Sequence, residues 1–247
     1  MQRADYDATI HDFLCATESH VLGDLVRYHG QAVEQRQRNA WLEQVKHLQI
    51  VLTAFDDGHV FFDLSIPRMG RRADVVLLLS GFVIVVEYKV WATTYHSPDI
   101  DQVVDYALDL KLFHAGSHNL PIAPVLLATE APDESGPIDW SGDVIAEHIL
   151  ANRFNLQVTL NRIIEAQSEL VHEHFWLDAP YKPTPTIVEA AKALYNNHTV
   201  EEISRSDSGA TIPSKTAKAV SNTIESAKTS KRRLSAVFRE YQVQERH

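Results

Sequence analysis

The stretch 71–89, RRADVVLLLSGFVIVVEYK, constrains this chain more than any other. Two runs dense in Val, Leu and Ile flank the small pair Ser80-Gly81, which predicts two strands and a two-residue turn. Such a turn sets Leu79 against Phe82, Val76 against Val85 and Asp74 against Glu87. Side chains alternate along a strand, so Lys89 shares a face with Glu87. The runs are apolar on both faces, as in central strands covered from each side. Two carboxylates directly opposed in a partly buried place repel, unless a cation sits between them.

A divalent ion such as magnesium suits that place, because hard cations take carboxylate and water oxygens. Lys89 beside it would steady a hydroxide or the charge developing on a phosphate. The residues therefore predict metal-assisted cleavage of a phosphodiester. The plainer alternative is an Asp–Lys–Glu network that only pins strand register.

Composition narrows the setting. The chain has 247 residues and 45% hydrophobic content, enough for one large domain or one domain with an appendage. Its single cysteine, Cys15, has no second to pair with, so a disulfide or cysteine-type zinc site within the chain is excluded, and a cytoplasmic setting is expected. No run is long enough to span a membrane, and MQRADYDATIHDF does not read as a signal peptide. A formal charge of −10 argues against indiscriminate nucleic-acid binding by the whole surface. Phosphate contacts must then come from local clusters. Arg68, Arg71 and Arg72 beside the hairpin are the candidates; Lys231, Arg232 and Arg233 read as a solvated edge.

Residues 1–37 read as a loosely organised helical segment. A clear amphipathic helix is expected from Asn39, with Trp41, Val45, Leu48 and Leu52 as its stripe. Glu43 points away from that stripe, and Glu34 falls on it only if the helix extends that far back. A strand, HVFFDLSI, precedes the hairpin. A helix over 99–114 follows, with Val103, Ala107, Leu110 and Phe113 at helical spacing. Then comes a fully buried strand, IAPVLLAT, expected to run parallel to the second hairpin strand. Gln102 and Tyr106, four residues apart, share one face of the intervening helix. The glutamine amide suits a metal-bound water or a phosphate, and the tyrosine suits base stacking or a backbone contact.

Asp74, Glu87-Tyr88-Lys89 and this order of elements resemble the PD-(D/E)XK nuclease superfamily. Gln102 and Tyr106 are similar to the Q-x-x-x-Y motif of its RecB-like branch. The resemblance covers about residues 38–130 and implies an α/β, restriction-endonuclease-like core with a helical C-terminal extension. It also implies a magnesium- or manganese-dependent nuclease acting on DNA in bacterial defence or repair, though nothing local separates DNA from RNA. Asp74 and Glu87 would be the metal ligands, Lys89 would stabilise the attacking water or the transition state, and Gln102 and Tyr106 would support metal and substrate. A catalytically silent module that binds nucleic acid or a helicase partner is the alternative.

IPRMGRRADVVLL, VVEYKVW, DQVVDYALDLKLFH and YKPTPTIVEAAKALY further resemble the front ends of Schlafen-like, DNA/RNA-helicase-type proteins, in which a P-loop ATPase follows. This sequence has no G-x-x-x-x-G-K-[ST]. GATIPSKT at 209–216 carries Ser214 where glycine is needed, and Pro213 breaks the loop. ATPase activity is not expected here, and a helicase or ATPase would be a partner. The expected organisation is a helical segment at 1–37, a nuclease-like domain at 38–180 and a helical extension at 181–247. Residues 143–173 read as two helices or a strand and a helix, followed by helices at 186–197, 200–205 and 214–234. The 13 histidines, including the pairs His114/His118 and His172/His174, read as core or surface residues.

Overall fold

The computed structural model describes residues 3–29, 34–66, 70–140, 145–166, 176 and 178–181. Arg68, the histidines at 172 and 174, the basic cluster at 231–233 and the helices expected at 186–197, 200–205 and 214–234 lie outside them. Met1–Pro180 forms one compact unit and Tyr181–His247 another. All that follows concerns the first.

The elements are β1 (Tyr6–Thr9), α1 (Ile10–Cys15), α2 (Glu18–Tyr28), α3 (Gln35–Leu52), β2 (His59–Ile66), β3 (Arg71–Leu79), β4 (Phe82–Lys89), α4 (Ser97–Phe113), β5 (Ile122–Ala128), β6 (Ile149–Ala151) and α5 (Leu156–Glu165). The architecture is mixed α/β, around a six-stranded sheet in the order β1-β2-β3-β4-β5-β6. β1 to β4 are antiparallel neighbours, and β5 and β6 continue the sheet in parallel.

The hairpin forms as its sequence predicts. Ser80 and Gly81 both take positive φ, 48° and 83°, the requirement of the turn that matches strand twist. Leu79 pairs with Phe82 and Val76 with Val85. The helix between β4 and β5 lets those two strands run parallel, as a crossover must.

Two apolar clusters cover the two faces. Val75, Leu77, Ile84 and Val86 pack with Trp41, Val45 and Leu48 of α3 and with residues of α1, α2 and α5. Val76, Leu78, Val83 and Val85 pack with Val103, Tyr106, Ala107 and Leu110 of α4. The sheet is therefore buried on both sides, which is why its central strands read as continuous apolar runs. Gly58 is required where α3 hands over to β2: its φ is 140°, and a Cβ there would lie 2.5 Å from the Leu78 carbonyl oxygen.

Three expectations need correction. The segment at 1–37 is not simply helical, because Tyr6–Thr9 forms the edge strand β1 on β2. Four residues are too few to show a period-two signal against the helices that follow. Its residues Tyr6, Phe13, Val21 and Leu25 also sit in the same cluster as the central strands, so it is part of this core. α3 starts at Gln35 after Glu34, one turn before Asn39, whose side chain instead accepts a hydrogen bond from Gln35 Nε2 at 2.9 Å. α4 begins at Ser97, with Pro98 in its first turn, where a missing N–H costs nothing.

Candidate functional site

The candidate residues meet at the open end of the β3–β4 hairpin. Ladder pairing runs from Leu79↔Phe82 to Val75↔Val86, and the same register carries Asp74 to the level of Glu87. Beyond Val75 a side chain takes over from the ladder: Asp74 Oδ2 accepts the Tyr88 N–H at 2.9 Å. On the other flank, Phe62 pairs with Val75 and Leu64 with Ala73, which puts Asp63 beside Asp74. Asp63 takes φ 48°. Here the alternation of both strands slips by one residue, since Leu64, Ile66 and Ala73 join the cluster of Phe61 and Val76. Three carboxylates, Asp63, Asp74 and Glu87, thus line up across β2, β3 and β4 at a kink in the sheet.

Each of them resists ionisation. Burial raises the Asp74 pKa well above the usual carboxylate range, and the charges of Glu87 and Asp63 raise it further. Burial also raises Glu87, although Lys89 pulls it back. Asp63 is pushed up to about 6 by burial and then by Asp5. Glu87 is 4% exposed, and its Oε2 has no hydrogen-bond partner among the described residues. A buried carboxylate oxygen without a donor is costly, and a bound cation would satisfy it.

One hydrogen-bonded chain links the remaining candidates. Lys89 Nζ donates to Glu87 Oε1 at 3.0 Å and to Gln102 Oε1 at 3.3 Å, and pairs with Asp99 at 3.0 Å. Gln102 Nε2 donates to Glu87 Oε1 at 2.8 Å and to the Tyr106 hydroxyl at 2.9 Å. Burial works against the Lys89 charge, but Glu87 and Asp99 outweigh it, and its pKa is raised. The ammonium therefore persists at neutral pH.

A cavity of about 690 Å³ opens at this end of the sheet. Asp74, Lys89 and Asp99 form part of its wall, with Glu34, Arg36 and Gln44 of α3 and the N-cap residue before it. Glu87, Gln102 and Tyr106 are not among the lining residues. Tyr106 is 1% exposed, so its ring is closed to base stacking and its hydroxyl braces Gln102 instead. Glu34 reaches the cavity as the N-cap residue of α3, while Glu43 does not line it. The side chain that α3 buries toward the cavity is Gln44, 4% exposed and with Oε1 unpartnered among the described residues.

Of the basic candidates, Arg71 is exposed, and its charge helps lower the Tyr106 pKa against the stronger effect of burial. Arg72 is ion-paired with buried Asp5, beside His29 and Asp63. Asp5, His29 and Asp63 form a second acidic group next to the first, with ligand-type atoms within 4.8 Å of one another. Sequence reading passed over Asp99, Asp63 and Asp5. Asp99 had a signal, an acid just after the helix-starting Ser97-Pro98. Asp63 and Asp5 had none, because nothing local shows that β1 will bring one beside the other. His114 and His118 do not share a helical face: His114 caps α4 and bonds Ser117 Oγ at 3.0 Å, while His118 bonds the Lys111 carbonyl at 2.8 Å.

Among the described residues no helix is long and apolar enough to cross a membrane. No protein-family model, curated protein or solved structure matches the chain.

Proposed function

We propose that this chain is a metal-dependent nuclease, hydrolysing phosphodiester bonds in DNA, with a restriction-endonuclease-like core. The observation that carries the reading is the meeting of Asp74 and Glu87, where burial and the Glu87 charge raise the Asp74 pKa and Glu87 Oε2 is buried with no hydrogen-bond partner among the described residues. Register pinning alone would be served better by apolar residues or by a fully satisfied ion pair. The order of helix, three antiparallel strands, helix and parallel strand supports the fold half of the proposal.

The donor set fits magnesium or manganese: two hard carboxylates, Asp74 on the cavity wall and Glu87 at the facing position of the neighbouring strand, with room for water beside Asp74. Asp74 and Glu87 would hold the ion. When bound, it supplies a water of lowered pKa and neutralises charge on the phosphate. Asp74 is fixed by the Tyr88 N–H, so its free oxygen has a defined direction. Lys89 keeps its proton and offers N–H donors to a phosphate oxygen or to the attacking water. Gln102 holds Glu87 and Lys89 in one arrangement, and Tyr106 locks Gln102. Arg71, exposed at the start of β3, would contact the backbone, and Arg68 is a further candidate on sequence grounds.

Incubation of the full chain with linear, nicked and single-stranded DNA, with and without magnesium or manganese, tests this. Metal-dependent cleavage is expected, and Lys89→Ala should reduce it by about a hundredfold or more. Calorimetry with manganese should show binding to wild type that Asp74→Ala loses. Equal manganese binding by both proteins, or no cleavage of any substrate with either metal, would sink the proposal.

A further inference from the structure

Tyr106 is buried, so any base stacking at this site needs another ring. Trp91 is the exposed aromatic on the cavity wall, 46% exposed, two residues beyond Lys89. Its backbone takes φ 64°, a region that a bulky side chain rarely adopts. The turn is held there by the residues that follow β5: Thr129 Oγ1 accepts the Trp91 N–H at 2.7 Å, and the Glu130 N–H bonds the Ala92 carbonyl at 2.9 Å. Glycine would meet the backbone demand with no steric penalty. A large apolar side chain in a left-handed position, half in water, contributes little to the core. Among the described residues its indole makes no ring contact and its Nε1 no hydrogen bond. The other tryptophans differ: Trp41 and Trp176 are buried, and the Trp140 ring packs on Phe82 at 5.7 Å.

Arg36, in the first turn of α3, lines the same cavity and makes no ion pair among the described residues. Among the described residues the cavity therefore holds an unstacked aromatic face and an unpaired guanidinium beside Asp74 and Lys89. Aromatic faces bind successive bases of single strands regardless of sequence, while a cation tracks the backbone. In a duplex each base face already stacks on its neighbour, and a side chain must unstack it first. A volume of about 690 Å³ lies in the range of small-ligand sites.

Resting on the nuclease reading, we propose that Trp91 is the base-stacking residue of this cavity, receiving an unpaired base of single-stranded DNA while Arg36 holds the adjacent phosphate. The substrate at the point of cleavage is then a single strand: a free end, a flap or an opened duplex. The residue acts in binding and positioning, and the carboxylates remain the chemical groups.

The test is tryptophan fluorescence of the full chain in chelator, titrated with oligothymidine and, separately, with a blunt hairpin duplex of equal length. Without metal, cleavage cannot interfere, so a chain that binds but never cleaves still reports on this proposal alone. Saturable quenching by oligothymidine is expected, with at least tenfold weaker binding of the duplex. Trp91→Gly should weaken oligothymidine binding about tenfold or more and remove the quench. The same variant should raise the melting temperature, since glycine suits φ 64°. Trp91→Phe should retain most of the affinity, and Arg36→Ala should reduce the salt dependence of binding. Unchanged oligothymidine affinity in Trp91→Gly would overturn the proposal. So would equal affinity for duplex, or a Trp91→Gly variant that is less stable than wild type, which would make Trp91 a packing residue.

Discussion

The two halves of one hairpin obey different rules. At the turn end of β3 and β4, Leu77, Leu78, Leu79, Phe82, Val83 and Ile84 are all at most 2% exposed and wholly apolar. At the open end, five residues along, Asp74, Glu87 and Lys89 occupy the same two strands, and Asp63 flanks them on β2. The backbone changes too: regular ladder pairing at the turn end gives way to a side-chain acceptor for the Tyr88 N–H at the open end. The turn end lowers the free energy of the fold, and the open end raises it by holding carboxylates where none of them ionises readily. Sites that bind cations or stabilise transition states commonly sit in such strained surroundings, supported by stable structure elsewhere.

The largest effect that would break this comparison is at the turn end. Leu77→Ala should cost about 2–5 kcal/mol, because Leu77 is fully buried between Val60 and Ile84 in the cluster with α3. Urea denaturation measures it. Metal binding per folded molecule should be unchanged. A loss well under 1 kcal/mol would mean that the turn end does not carry the fold as argued.

That difference also explains what was legible in the sequence. The turn end was readable in full, since apolar density, Ser80-Gly81 and strand period all give the same answer, and the register 79↔82 follows from the turn alone. The same register, extended one step beyond the last ladder pair Val75↔Val86, sets Asp74 level with Glu87. The crossover helix and β5 were readable from the spacing of Val103, Ala107 and Leu110 and from an unbroken apolar run. What could not be read depends on contacts distant in sequence. β1 is too short to announce itself and joins β2 across about fifty residues. The slip in alternation at Asp63 shows no local mark, since aspartate in a strand signals no positive φ by itself. Tyr106 shares a helix face with Gln102 as expected, but its burial closes the ring to stacking and leaves its hydroxyl bonded to Gln102.

The second effect sets the open end against the far end of α4. His114 lies twelve residues beyond Gln102, about 18 Å along the helix. It is 3% exposed and pushed down to about 4, first by burial and then by Arg3. A histidine with a depressed pKa is neutral in the fold and charged in the unfolded chain between about 4 and 6.5. The unfolded state then binds more protons, so stability falls as pH drops through that window, by up to about 3 kcal/mol. The His114 ring resonances should titrate near pH 4 by NMR, and His114→Gln should flatten the acid loss. A His114 titrating at 6.5 would show that this end is hydrated and the contrast false.

The smallest effect has the opposite sign and sharpens the contrast most. Asp63 is pushed up to about 6, so in the fold it takes up a proton that the unfolded chain releases near 3.8. Folded protein then binds more protons between those values, and stability falls as pH rises through them. Asp63→Asn removes the charge with little change of shape, and asparagine tolerates the φ of 48° well. At pH 8 it should stabilise the metal-free protein by about 1–2 kcal/mol, less than the full difference between the two pKa values because the buried asparagine amide needs a hydrogen-bond acceptor that a protonated carboxyl does not. At pH 3.5, below both pKa values, Asp63 is mostly protonated in either state and the gain should nearly vanish. Urea midpoints at the two pH values decide it. A variant less stable than wild type at pH 8 would mean that the Asp63 charge holds Arg72 and His29 in place, and that the open end contributes to the fold as the turn end does.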